Sequence, residues 1–186
     1  MVGNDIVDLE EAKFTSHWQR PRYLEKIFTE TEQQLIKNCT NPFHVVWRLW
    51  SMKEAAYKLY VQVNPSQFYS PKSFECKFEF ENGNVKYKNF ECQIKTSITS
   101  KYILSEARLL DDRMTSEVIE FKDKTYKNQS AVLRNALLIT LSELYQLSKE
   151  DLKFQKSEFN IPTVLCNSVN IHVSLTHHGH FGAYAI

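Results

Sequence analysis

At residue 73 the spacing of apolar side chains switches from the period of a helix to that of a strand, so this chain must pack helices on a sheet. Before the switch, Asn41-Pro42 breaks one helix and opens a stronger one, predicted to run to about Val61. Val45, Leu49, Met52, Ala56 and Leu59 recur at helical steps and predict its buried face, while Trp47, Ser51, Glu54 and Lys58 mark a second stripe. After the switch, Phe74, Cys76, Phe78 and Phe80 alternate with Glu and Lys, the pattern of a half-buried strand. Asn82-Gly83 predicts the turn that follows, Val85 and Tyr87 the returning strand, and residues 92–98 and 102–109 two more strands.

Residues 2–7 are a β-branched run that predicts a strand, in which Gly3 marks a close approach by other backbone. Pro21 opens a helical stretch over 23–28. Thr29-Glu30-Thr31-Glu32 reads as a capping box, with Phe28 as its hydrophobic staple. The charged residues 111–129 predict a connection, and Leu133, Leu137, Leu141 and Leu144 a second amphipathic helix. Pro162, a short strand over 170–174, a turn at Thr176-His177-His178-Gly179 and a strand over 181–186 follow. The expected class is α+β, with halves 1–110 and 111–186 forming one compact unit. At 186 residues and 42% hydrophobic, the chain can bury such a core.

With 23 basic against 22 acidic side chains, the chain lacks the basic excess on which duplex nucleic-acid affinity rests. No apolar run approaches the length of a bilayer span and no signal peptide is recognised, so a cytoplasmic protein engaging neither nucleic acid nor membrane is expected. Cys39, Cys76, Cys92 and Cys166 show no CxxC spacing and predict buried free thiols.

Two carboxylates and two amines draw the functional reading: Asp5 at the end of the first strand, and Lys53, Glu54 and Lys58 on the long helix. Cleaving a pyrophosphate requires charge neutralisation on its oxygens and a route for the attacking hydroxyl's proton. A magnesium ion needs only one or two protein carboxylates, and lysines serve as point charges on phosphate oxygens. Glu54 or a metal-bound water is the candidate base. The competing reading is structural: Glu followed four residues later by Lys is a favoured surface helix pair contributing about 0.2–0.5 kcal/mol.

The joint pattern, Gly3-x-Asp5 with Trp50-x-x-Lys53-Glu54-x-x-x-Lys58, resembles the G-x-D … W-x-x-K-E-x-x-x-K signature of the 4'-phosphopantetheinyl transferases. The resemblance implies that Asp5 and Glu54 bind magnesium and that Lys53 and Lys58 contact coenzyme A phosphates. It implies Glu54 and Lys58 as the catalytic pair. The surfactin-activating branch often adds a third carboxylate two residues after the Asp; Val7 stands there, which implies a water in its place.

Residues 174–181 resemble the family's S-H-x-G block, which implies that Thr176 and His177 contact a coenzyme A phosphate. An exposed turn or a zinc site are the alternatives, and zinc lacks ligand-spaced partners beyond the turn. This block follows the G-x-D block, the reverse of the surfactin-activating order. The resemblance therefore implies a circular permutation, with two similar halves packed as a monomeric pseudo-dimer. Residues 181–186 should then neighbour 2–6 in one sheet, with the termini close and His177 near Asp5; termini far apart would indicate a trimer. Asn160-Ile161-Pro162 stands where the family usually has Gly-Lys-Pro, and Lys122, Lys124 and Lys127 are the candidates to compensate, Lys124 foremost. The glycines that commonly follow the lysine-glutamate helix are absent after Lys58.

The implied activity is magnesium-dependent transfer of 4'-phosphopantetheine from coenzyme A to a serine of an apo acyl or peptidyl carrier protein. Fatty-acid, polyketide and peptide pathways all remain open. A non-catalytic relative that binds coenzyme A or a carrier is the alternative. A different metal-dependent phosphoryl or nucleotidyl enzyme is another.

Overall fold

A computed structural model describes residues 1–66, 68, 70–109 and 114–186, and in it the opening β-branched run forms strand β1 (Val2–Asp8). Asp8 then caps α1 (Leu9–Thr15), accepting the Glu10 and Glu11 N–H groups, a short helix that the apolar spacing did not announce. Next come α2 (Tyr23–Ile27) and α3 (Glu30–Asn38). The capping box is present: Glu32 N–H donates to the Thr29 hydroxyl at 3.3 Å, and Thr29 N–H to the Glu32 carboxylate at 2.8 Å. Asn41 accepts the His44 N–H and Pro42 fills the first turn, starting α4 (Pro42–Val63).

Leu49, Met52, Ala56 and Leu59 on α4 are fully buried, as their spacing predicts, and each large side chain contributes about 1.5–3 kcal/mol on burial. The second stripe is buried too at Trp47 and Ser51, because α4 lies between a sheet on one side and α3 on the other. That sheet contains β2 (Glu75–Glu79), β3 (Asn82–Tyr87), β4 (Phe90–Ile98) and β5 (Tyr102–Arg108) in the antiparallel order β1-β5-β4-β3-β2. The first hairpin turns at Phe80-Glu81 rather than at Asn82-Gly83: Glu79 pairs with Asn82, and Phe80 takes a positive φ of 49° and points into solvent. Gly83 instead sits inside the strand, where a Cβ would come within 2.9 Å of the Met52 side chain.

The second half holds β6 (Ser116–Glu120), α5 (Tyr126–Tyr145), β7 (Leu152–Lys156), β8 (Pro162–Cys166), β9 (Val169–His172), β10 (Ser174–His178) and β11 (Phe181–Ala185). The expected connection over 111–129 thus contains a strand and the start of a helix, and the expected boundary at 110–111 lies outside the described residues. Leu133, Leu137 and Leu141 are buried on α5, but Leu144, in its last turn, is exposed. The strand expected over 170–174 divides into β9 and β10. Thr176, His177 and His178 belong to β10, so the turn falls at Gly179-His180.

β6 pairs with β11, which pairs with β10; β7, β8 and β9 form a further antiparallel sheet. Both halves share one path: a strand runs towards a long helix, and the last strand returns to pair with the first, β5 with β1 and β11 with β6. A small apolar layer of Ile6, Leu104, Phe181 and Ala183 joins them. β11 packs beside β1 but does not share its sheet, contrary to the expectation for 181–186, because the free edge of β1 is occupied by side chains of β10. Asn4 N–H donates to Ser174, which faces Ala185 across the ladder, so the chain ends lie close. All four cysteines are free, and Cys39 alone is not buried. No helix among the described residues is long and apolar enough to cross a membrane.

Candidate functional site

A Cβ at Gly3 would lie 2.0 Å from the Ala55 carbonyl oxygen, so only glycine lets β1 cross α4 at this turn. The crossing sets Asp5, two residues on and on the same strand face, against Lys58. Lys58 Nζ donates to Asp5 Oδ1 at 3.0 Å and to the Asn4 carbonyl at 2.8 Å. Asp5 Oδ1 also accepts the Thr176 hydroxyl at 3.0 Å, while Oδ2 accepts no hydrogen bond among the described residues.

The outward N–H groups of β1 are satisfied by side chains in a period-two ladder. Val2 N–H donates to Gln62 Oε1, Asn4 N–H to Ser174 Oγ, Ile6 N–H to Thr176 Oγ1 and Asp8 N–H to His178 Nδ1, at 3.0–3.3 Å. An edge strand is thereby closed without a partner strand. Thr176 links ladder to site, accepting from Ile6 and donating to Asp5. His178 Nδ1 is the acceptor at the last rung of this ladder.

Because Ser174, Thr176 and His178 face β1, His177 projects to the other side of β10, into a pocket of about 530 Å³ between α4, α5 and the β7–β8 hairpin. Lys58, His177, Arg134 and Lys156 line it, with Tyr57 and Tyr126 among its aromatic walls, and no carboxylate does so among the described residues. The Tyr126 ring meets the His177 ring edge-on, centroids 5.3 Å apart. Burial, with Lys58 and then His178 adding to it, holds His177 below the usual histidine range, so its imidazole is neutral at pH 7.

Asp5, Lys58 and Thr176 are therefore in direct contact. His177 shares the pocket with Lys58 but faces away from Asp5. Glu54 is half-buried on α4, one turn before Lys58 on the same face; after burial, its charge is the next cause raising the Tyr57 hydroxyl at the pocket wall. Lys53 departs from its expected role. It is 1% exposed, ion-paired to Glu32 at 2.8 Å and bonded to the Phe74 carbonyl, so its amine is sealed in the core and reaches no ligand. Lys124 is bridged to Glu11 at 3.1 Å, away from the pocket lining. Ile161, at the family's usual lysine position, is buried.

The spacing missed Arg134, Lys156, Tyr126 and Ser130. Tyr126, Ser130 and Arg134 stand four apart and so share a helix face, and Phe154 and Lys156 alternate onto one strand face. Only the tertiary fold turns both faces towards His177.

Asp5 Oδ2 accepts no hydrogen bond among the described residues, and a second carboxylate, Glu54, lies one turn before Lys58 on α4; a hard cation that keeps waters in its shell needs no more than one or two such groups. A closed zinc or calcium cage is not formed, since no group of three or more His, Cys, Asp or Glu side chains converges among the described residues.

Residues 1–114 match the description of the 4'-phosphopantetheinyl transferase superfamily. Over 58 residues the chain is 36% identical to a holo-[acyl-carrier-protein] synthase of Caldanaerobacter subterraneus subsp. tengcongensis, an alignment spanning 31% of this chain and 45% of that protein. The crystal structure of Thermotoga maritima holo-[acyl-carrier-protein] synthase aligns with 91% of this chain and 83% of its own, at 14% identity and a TM-score of 0.41.

Proposed function

This chain belongs to the 4'-phosphopantetheinyl transferase superfamily, and on that premise we propose that it transfers 4'-phosphopantetheine from coenzyme A to a serine of an apo acyl or peptidyl carrier protein. The observation that carries the reading is the Asp5–Lys58–Thr176 contact, whose lysine also lines a pocket with His177, Arg134 and Lys156 and, among the described residues, no carboxylate. Asp5 and Glu54 would hold magnesium, which would supply neutralisation of the pyrophosphate oxygens.

The serine oxygen attacks the phosphorus bearing the pantetheine arm, and the bond to the other phosphate breaks to release adenosine 3',5'-bisphosphate. Glu54 takes the serine proton. Lys58, held by Asp5 and the Asn4 carbonyl, keeps its charge on the pyrophosphate as negative charge develops there. Neutral His177 donates a ring N–H to a phosphate oxygen. The two halves act as one intrachain unit, since Asp5 comes from the first and Thr176 and His177 from the second.

Incubation with apo carrier protein, coenzyme A and magnesium tests this, read by mass spectrometry of the carrier. The carrier gains the mass of the phosphopantetheine arm, and Glu54→Gln lowers the rate by at least about a hundredfold. An unmodified carrier across fatty-acid, polyketide and peptide carriers rules the transfer out. The absence of lysine at Ile161 favours a second reading, a relative that binds coenzyme A without turnover; binding with no mass gain is its signature.

A further inference from the structure

Glu54, Lys58 and Gln62 stand four apart on α4 and form one stripe along it. Two of them reach the free edge of β1. Lys58 donates to the Asn4 carbonyl, and Gln62 brackets Val2: its Oε1 accepts the Val2 N–H at 3.1 Å and its Nε2 donates to the Val2 carbonyl at 2.7 Å. The same Nε2 donates again, at 3.1 Å, to the carbonyl of Val173, the residue before β10. Two carbonyls and one N–H around the amide admit only this orientation, and they use both of its donors. Gln62 is 6% exposed and sits, with buried Val2 and Val173, where α4, β1 and the start of β10 meet across the two halves.

Such an amide fixes a separation. Lys58 and Gln62 line the pocket from α4, and Leu175 and His177 line it from β10. The contact through Asp5 also joins these sides, but Lys58 and Thr176 meet there on one carboxylate oxygen, which leaves a pivot. Three directional bonds from one planar amide, a turn further along α4, remove that freedom. We propose that Gln62 is a positioning residue that sets α4 against β10 and so holds Glu54 and Lys58 in register with Thr176 and His177. It touches no reacting atom. Its effect on rate rests on the function proposed above; the alignment itself does not. Glutamate at this position would turn a carboxylate onto two carbonyls, and leucine would leave all three backbone groups without the amide.

The test is Gln62→Leu in the full chain, read by an NMR pH titration of the His177 imidazole, which sees folded molecules only. Around that ring stand Lys58 of α4, His178 of β10, Tyr126 and Arg134 of α5 and Lys156 of β7. In the wild type His177 titrates below 6.5; in Gln62→Leu it rises towards 6.5, because Lys58 and the cover of α4 draw away. Transfer to the carrier, per folded chain, slows by about tenfold to a hundredfold, the order that a misplacement of about 1 Å costs. Tyr184→Phe loses the bonds to Thr140 and Glu117 outside the pocket lining; it lowers the urea midpoint but keeps the wild-type titration and rate. An unchanged His177 titration in Gln62→Leu overturns the alignment, and an unchanged rate beside a shifted titration overturns its catalytic part. A wild type that modifies no carrier, with the titration still shifted in the variant, overturns the parent function and leaves the alignment standing. If Gln62→Leu does not fold, hydrogen exchange of the wild type decides: both Gln62 side-chain amide protons exchange slowly, and exchange at the rate of a free amide overturns the proposal.

Discussion

Lys53 and Lys58 project from one helix five positions apart, and packing gives each a different task. Lys53 neutralises Glu32, whose oxygens also accept the Thr29 N–H of the capping box and the Cys76 N–H at the start of β2. One buried ion pair thus ties α3, α4 and β2 together. Replacing Lys53 by Met leaves the Glu32 carboxylate buried with no counter-charge, which costs about 3–5 kcal/mol in a urea unfolding experiment. Lys58→Met costs less, because its pair with Asp5 is partly open to solvent, at 27% and 11% side-chain exposure against 1% and 2% for Lys53 and Glu32. Both lysines fit the same sequence signature, and the sequence alone assigned both to phosphate. Nothing local distinguishes them: the counter-ion of Lys53 comes from a helix 21 residues away in the chain. A long motif named Asp5, Glu54, Thr176 and His177, and of the residues it named the fold brings Asp5, Lys58 and Thr176 into direct contact. Arg134 and Lys156 were not legible, since two basic residues on separate amphipathic elements look like solvated surface until the fold closes.

Among the elements, β1 carries the greatest demand. Its inner face touches α4 through Gly3, one edge pairs with β5, and the other donates to Gln62 and β10. Gly3→Ala forces a Cβ against the Ala55 carbonyl and the Leu59 amide, both backbone atoms that cannot swing aside. The variant loses roughly 1–3 kcal/mol or more, read from the urea midpoint, and its coenzyme A affinity falls with it because Asp5 is displaced from Lys58. Gly3 was readable as a close-approach glycine, and α4, β4 and β5 from their periods. The shared sheet expected of 181–186 and 2–6 was misread, since periodicity places a strand's faces but not its partners. Side chains at 174, 176 and 178 reach the free edge of β1 and take the place of a ladder. Strand β6 escaped notice because Ser116–Glu120 is short and its two apolar residues, Val118 and Ile119, are adjacent rather than alternating.

At the scale of the molecule, the two halves meet along β1 and β10, so the site reports on whether they stay together. His177 and His172 are both held below the usual value of 6.5, chiefly by burial. A histidine whose folded pKa is depressed leaves the unfolded chain binding more protons in between, so stability is full above about 6.5 and is lost as pH falls through the folded value. The urea midpoint is therefore lower at pH 5 than at pH 7.5, and His177→Asn flattens part of that slope. The central claim is that carboxylates from β1 and α4 hold one divalent ion for a pyrophosphate. Electron paramagnetic resonance of manganese titrated into the protein with coenzyme A measures it directly. One tight ion per chain, abolished by Asp5→Asn and by Glu54→Gln but kept in Lys124→Gln, is the expected result. Manganese binding unchanged in both carboxylate variants contradicts it.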